Sequence, residues 1–299
     1  MDTNKIKGFI LRIYKKLILG IVMLFAWGGL NANNSFEGKD VSTYLVGAHM
    51  DVETAKKSLH SAGYEVLATY KPVKGGQTIV FTNDALKVEG AKPKRAHAAV
   101  LRLFVDNKEK MISITNPIYF GKAFMQDEYD HSVFNAQYKS INKAFPNLVG
   151  SKDKKNFDDL ADYHFMFGMP YYSDVDNLEE DSNDELLSKV KSYKKGKFFI
   201  FELKLSDNST LVGYDLGKRT KKFIKKIGRA NAAVLPYCIS IEDGKATSLA
   251  AKYYLAVSYP LLSMGEFMTI STVPGAITQD LRKAFNQVRK VKAVKEVEK

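Results

Sequence analysis

Hydrophobic periodicity divides the chain beyond residue 40 into two runs of elements in the same order. In the first, a short apolar strand at 43–46 precedes a stretch, 52–63, in which Val52, Ala55, Leu59 and Ala62 recur at helical spacing. Asp51 suits its N-cap and Gly63 its C-terminal stop. Apolar and β-branched runs then predict strands at 64–70, 78–82, 98–105 and 111–115, the last two joined by a polar turn around Asn107, and a helix over 132–145 ends the run. The second run reads as a strand at 163–167, a helix over 183–193 and a hairpin of 197–205 with 210–214. A second hairpin, 233–241 with 246–250, turns at Asp243 and Gly244, and a helix begins near residue 277. Each run is therefore β-α-β-β-β-β-α. Hairpins need only short turns, and two helices can cover one apolar face, so the expected class is α+β: two tandem units, each an antiparallel sheet with its helices on one face.

The runs also repeat in sequence. Arg95-Ala96-His97-Ala98-Ala99-Val100-Leu101 returns 134 positions later as Arg229-Ala230-Asn231-Ala232-Ala233-Val234-Leu235. Lys110 and Ser113 match Lys245 and Ser248, Tyr119 matches Tyr254, and Lys143-Ala144-Phe145 matches Lys283-Ala284-Phe285, with the offset growing to 140. Solenoid units run to roughly 20–50 residues, so a period this long indicates a duplicated domain. The expected boundaries are 40–148 for the first unit, a polar linker at 149–158, 159–292 for the second unit and a charged tail at 293–299.

At the N-terminus Lys5, Lys7, Arg12, Lys15 and Lys16 precede an apolar run, 17–26, and Gly28-Gly29-Leu30-Asn31-Ala32 leads into polar sequence. This is the layout of a secretory signal peptide, residues 1–32, cleaved after Ala32. A retained anchor is the alternative, although spanning a bilayer takes about 20 apolar residues. The expected location is periplasmic or otherwise extracytoplasmic. Formal net charge is +12, and loss of residues 1–32 leaves +8, so the mature chain stays basic. Cys238 is the single cysteine, which excludes an intramolecular disulfide; both units must hold by apolar packing.

The segment Leu211-Val212-Gly213-Tyr214-Asp215, followed by a helical stretch and then by Val234 to Lys245, resembles the later part of domain-of-unknown-function family 302. Val52 to Gly63 with Tyr64-Glu65-Val66-Leu67 resembles that family's opening helix and strand, and Ile114-Thr115-Asn116-Pro117 its closing strand end. The second run departs from the pattern with Ala251-Lys252 in place of Asn116-Pro117. The resemblance implies a fold like that of the TATA-binding protein, a curved antiparallel sheet with helices behind it. It brings no activity with it.

The chemistry is less specified than the fold. G-x-S-x-G, H-E-x-x-H, G-x-x-x-x-G-K-[ST] and C-x-x-C are all absent, which directs the reading away from familiar hydrolases and nucleotide enzymes toward a binding or accessory protein. The acidic stretch with Asp174, Asp176, Glu179, Glu180, Asp181, Asp184 and Glu185 lacks the spacing of a calcium loop and reads as a solvated segment that starts a helix. On a strand at 163–167, His164 and Met166 would share a face, and with Met169 they would form an imidazole–thioether set suited to copper(I); packing in the core is the plainer alternative. Cys238, in an apolar run, reads as a buried thiol, or as a further member of that metal set. Lys218, Arg219, Lys221, Lys222, Lys225, Lys226 and Arg229 fall on one side of a predicted helix, with Phe223, Ile224 and Ile227 opposite. That face is either simply solvated or addresses an anionic partner: a phosphorylated or carboxylated small molecule, an acidic protein, or a membrane surface. Nucleic acid fits poorly, because export removes the protein from it and no aromatic residues interleave with the cations. Finally, Tyr119, Tyr171, Tyr172, Tyr253 and Tyr254 follow strands, where an amphipathic ring suits a pocket mouth or an ordinary half-buried position. The sequence leaves the cofactor, if there is one, unspecified.

Overall fold

Two antiparallel sheets carry the fold, each a four-strand meander whose remaining edge is filled by a strand from earlier in the chain. The structure, a computed structural model, describes residues 36–286 as parts of one compact unit; the expected signal peptide, the end of the second unit and the charged tail lie outside the described residues. In the first sheet β2 (Tyr44–Ala48) leads to helix α1 (Val52–Ser61), and β3 (Glu65–Tyr70), β4 (Gly76–Thr82), β5 (Leu101–Asp106) and β6 (Met111–Thr115) follow. The strand order is β3-β4-β5-β6-β2, extended beyond β2 by β7 (Val149–Gly150). In the second sheet β9 (Asp176–Glu180) leads to helix α5 (Asn183–Ser192) and then to β10 (Phe199–Lys204), β11 (Ser209–Tyr214), β12 (Tyr237–Glu242) and β13 (Lys245–Ser248). Its order, β10-β11-β12-β13-β9, repeats the first. A two-stranded sheet pairs β1 (Asp40–Ser42) with β8 (Lys154–Asn156). The class is α+β, with every strand pair antiparallel. The segment expected as a linker thus supplies two strands, β7 and β8, which tie it to the N-terminal half.

The remaining helices are α2 (Asp84–Gly90), α3 (Pro117–Met125), α4 (His131–Ala144), α6 (Ile224–Ile227), α7 (Ala251–Ser258), α8 (Met264–Thr269) and α9 (Val273–Arg282). Asp51 caps α1 by accepting from the Thr54 amide at 2.9 Å, as its position suggested. Helices α3 and α7 are buried at all positions except Lys122 and Lys252, and each follows the last strand of its meander. They lock the halves together reciprocally: Tyr119 on α3 donates to the Val257 carbonyl of α7 at 2.8 Å, and Tyr253 on α7 donates to the Ala123 carbonyl of α3 at 3.2 Å.

The repeated heptapeptide forms a 3-10 turn in each half, Ala96–Ala99 and Arg229–Val234, immediately before β5 and β12. Each turn packs against the sheet of the other half, the first against β11 and β12, the second against β5 and β6. Alanine is what permits this approach. Ala96, Ala99, Ala232 and Ala233 are at most 1 % exposed, and both central strands are buried almost throughout, which requires cover on both faces of each sheet.

Two expected elements differ. Residues 163–167 are not a strand but part of an irregular stretch, 161–175, in which Phe167 is fully exposed; the strand is instead β9, in the acidic segment. An edge strand whose charges face water needs only one apolar anchor, here Leu178, so its hydrophobic pattern is weak. The cationic stretch is also not one helix. A 3-10 turn, Thr220–Phe223, runs into α6, and Gly228 with φ +96° ends it before the second heptapeptide.

Candidate anion-binding cleft

The cleft is built from a loop of each half. In the N-terminal half, Lys71 to Gly75 connect β3 to β4, and Asn107 lies in the turn after β5. Gly75 takes φ +75°, a conformation open to glycine, and its carbonyl accepts from the Asn107 amide at 2.9 Å, which fixes the two loops together. Gly76 is required for space: a Cβ there would lie 2.4 Å from the Phe104 ring. In the C-terminal half the cationic stretch is docked by buried Phe223 and Ile224, and its start is held by Asp280 of α9, which accepts from the Gly217 amide at 2.8 Å and the Thr220 hydroxyl at 2.6 Å.

Between these loops lies a cleft of about 670 Å³ lined by Lys71, Lys74, Gln77, Lys218, Lys222 and Lys225, with Lys221 and Arg229 at its base and no carboxylate in its lining. Arg229 is held by Asp106 of β5, with Nη2 at 2.8 Å and Nε at 3.1 Å from the carboxylate. Burial pushes the Asp106 carboxyl up, but Arg229 and the Lys108 and Glu109 amides outweigh this and hold it below its ordinary value. Lys221 pairs with Asp215 at 2.8 Å and stands 5.3 Å from the centre of the Tyr70 ring; the Tyr70 hydroxyl bonds the same carboxylate. The Asp106–Arg229 pair and the Tyr70–Asp215 bond join the halves, and the two carboxylates neutralise Arg229 and Lys221. Lys71, Lys74, Lys218, Lys222 and Lys225 have no ion-pair partner among the described residues. Five lysines without counter-charges converge on one space from both halves, a site able to hold an anion of small-ligand size.

Five of the seven cations singled out from sequence therefore meet in the cleft. Arg219 and Lys226 do not line it, and Lys226 donates to the Thr269 carbonyl instead. Sequence reasoning missed Lys71, Lys74, Gln77 and Asn107, whose only local signal was the Lys-Pro-Val-Lys-Gly-Gly turn. Of the tyrosines, Tyr119, Tyr253 and Tyr254 have their hydroxyls bound to backbone carbonyls in the interior, where burial raises all three pKa values. Tyr172 donates to the Lys94 carbonyl at 2.7 Å and borders a separate groove, while Tyr171 stands exposed against His164 with ring centres 4.4 Å apart.

His164 and Met169 line a shallow depression with Tyr171 and Asp174; Met166 does not line it, and Cys238 is buried in the interior. The shared strand face that would have aligned His164 with Met166 is not formed. Among the described residues, no group of three or more His, Cys, Asp or Glu is placed to hold a metal, and no helix is long and apolar enough to cross a membrane. Compared with known proteins, the chain matches no family model, no curated protein and no solved structure.

Proposed function

We propose that the chain is an exported binding protein that takes a phosphorylated or carboxylated small ligand in the lysine cleft between two tandem, family-302-like units of TATA-binding-protein-like fold. The observation that carries this reading is the convergence of five lysines without counter-charges, two from one half and three from the other, on a cleft lined by no carboxylate. Duplication is supported by the equal strand orders and by the equivalent places of the two heptapeptides. A bound anion would accept charge-assisted hydrogen bonds from both halves and would thereby stiffen their joint.

A membrane-surface role is the second reading. It is favoured by the full exposure of Phe167 and by exposed Met166, Met264 and Met268, on segments joined by the stacked rings of Phe165 and Phe267 at 5.4 Å. Phosphate chemistry is common to both sources. Calorimetric titration of the mature protein with pyrophosphate, citrate and phosphatidylglycerol vesicles separates them. The cleft reading expects binding of pyrophosphate or citrate that weakens with salt. Substituting Lys74→Gln, Lys222→Gln and Lys225→Gln together should weaken it by roughly ten- to a hundredfold, at about 0.5–1 kcal/mol per exposed lysine. An unchanged affinity in this variant would overturn the reading, and binding to vesicles alone would transfer it to the membrane surface.

A further inference from the structure

A second cation lies deeper, where the halves meet, and it has no carboxylate. Arg102, at the start of β5, is 5 % exposed; its Nη2 is 3.0 Å from Cys238 Sγ and 3.4 Å from the Pro236 carbonyl, both in the C-terminal half. Its Nε is buried without a hydrogen-bond partner, and no described ion pair includes it. A guanidinium remains protonated at any working pH, and removing such a charge from water costs several kcal/mol unless it is paired.

The titratable groups facing Arg102 do not supply the missing charge. They are Cys238, Tyr44, Tyr237, Tyr254 and His97. Burial pushes the Cys238 thiol and the Tyr44, Tyr237 and Tyr254 phenols up, against the field of Arg102, so all four stay neutral near pH 7. Burial first, and Arg102 second, push His97 down to about 3, so the imidazole is neutral too.

Beside the guanidinium is an internal cavity of about 10 Å³, lined by Arg102, His97, Cys238, Tyr237, Tyr254 and Phe124. That is about the space one water-sized particle needs. The two phenols already donate elsewhere, to the Leu249 and Val234 carbonyls, so the donors left at the cavity are the guanidinium, the thiol and the N–H of the neutral His97 imidazole. His97 also borders a groove of about 530 Å³ that contains Lys94, Tyr172, Ser240 and Glu242, and it is the residue common to the linings of the cavity and that groove.

We propose that this cavity binds one small monovalent anion, of halide size, held by the Arg102 guanidinium against the Cys238 thiol at the joint of the two halves. The anion supplies the charge that the surrounding side chains lack and bridges β5 to β12. It is distinct from the ligand of the lysine cleft, which shares no lining residue with the cavity.

Thermal unfolding of the mature protein in sodium chloride, compared with sodium gluconate at the same ionic strength, tests this. Above the Kd, each tenfold increase in chloride should raise Tm by roughly 3–5 °C, and Arg102→Met should abolish the difference between the salts. Should that variant fail to fold, a crystal soaked in bromide decides: an anomalous peak within hydrogen-bond distance of Arg102 supports the site. Equal Tm values in chloride and gluconate, with no bromide peak in the cavity, would overturn it. Ultraviolet absorbance of a thiolate near pH 7 that disappears in Cys238→Ser would also overturn it, because the counter-charge would then belong to the protein.

Discussion

Asp106→Asn should move stability and anion binding in opposite directions. The Asp106 side chain is fully buried and accepts from Arg229 Nε at 3.1 Å, Arg229 Nη2 at 2.8 Å, the Lys108 amide at 2.9 Å and the Glu109 amide at 3.3 Å. Asparagine preserves the shape and the oxygen that caps the turn, but removes the charge that pairs Arg229. Removing one partner of a buried ion pair costs about 3–5 kcal/mol, and the 19 % exposure of Arg229 places this case at the lower end, about 3 kcal/mol. For a body of this size that corresponds to a Tm lowered by roughly 6–12 °C, measurable by scanning calorimetry. The same change releases Arg229 at the base of a cleft already ringed by lysines, so pyrophosphate affinity should rise. Arg229→Gln provides the contrast: it also destabilises, by stranding the Asp106 carboxylate, but it weakens binding. A D106N protein as stable as the parent, or one that binds pyrophosphate more weakly, would refute the assignment of this pair as the electrostatic joint of the cleft.

Acid should remove the contribution of Asp106 in a defined window. Its folded pKa is depressed, so the stability it contributes is fully present above the ordinary carboxylate value, about 3.9, and is lost as pH falls through the folded value; Tm measured from neutral pH downward should show a shallower acid loss in D106N than in the parent. Tyr119→Phe deletes the buried bond to the Val257 carbonyl and should cost about 1–2 kcal/mol by urea unfolding, without changing anion affinity. Gly76→Ala would force the Phe104 ring to move from a Cβ 2.4 Å away, with an expected loss of about 1–3 kcal/mol and weaker pyrophosphate binding as the Lys71–Gly75 loop shifts.

Helices with a one-sided pattern and strands with apolar runs, including the buried β5 and β12, were legible in the sequence; helices buried on all sides and a strand bearing few apolar residues were not. Helix α1 has Ala55 and Leu59 buried and an Asp51 cap, and its expected span, 52–63, agrees with Val52–Ser61. Helices α3 and α7 are apolar around their whole circumference, so no period of 3.6 stands out, and the residues of α3 follow so directly on β6 that they read as a strand end. Strand β9 offers only Leu178 to the interior, whereas the Phe-Met-Phe sequence at 165–167 imitates a strand while exposing Phe167 completely. The cationic stretch was legible as a charged surface because it is contiguous. Its partners were not, because Lys71, Lys74, Tyr70 and Asp106 reach it only through the docking of one half on the other. The heptapeptide disclosed a repeat, and the structure gives it a physical reason: each alanine turn packs against the opposite sheet, where larger side chains would hold the halves apart.

A crystal structure of the protein grown with pyrophosphate tests the central claim most directly. The account predicts phosphate oxygens within hydrogen-bond distance of Lys74 from one half and of Lys222 or Lys225 from the other, with the Arg229 to Asp106 pair intact beneath them. Pyrophosphate bound elsewhere on the surface, or held by lysines of one half alone, would contradict it.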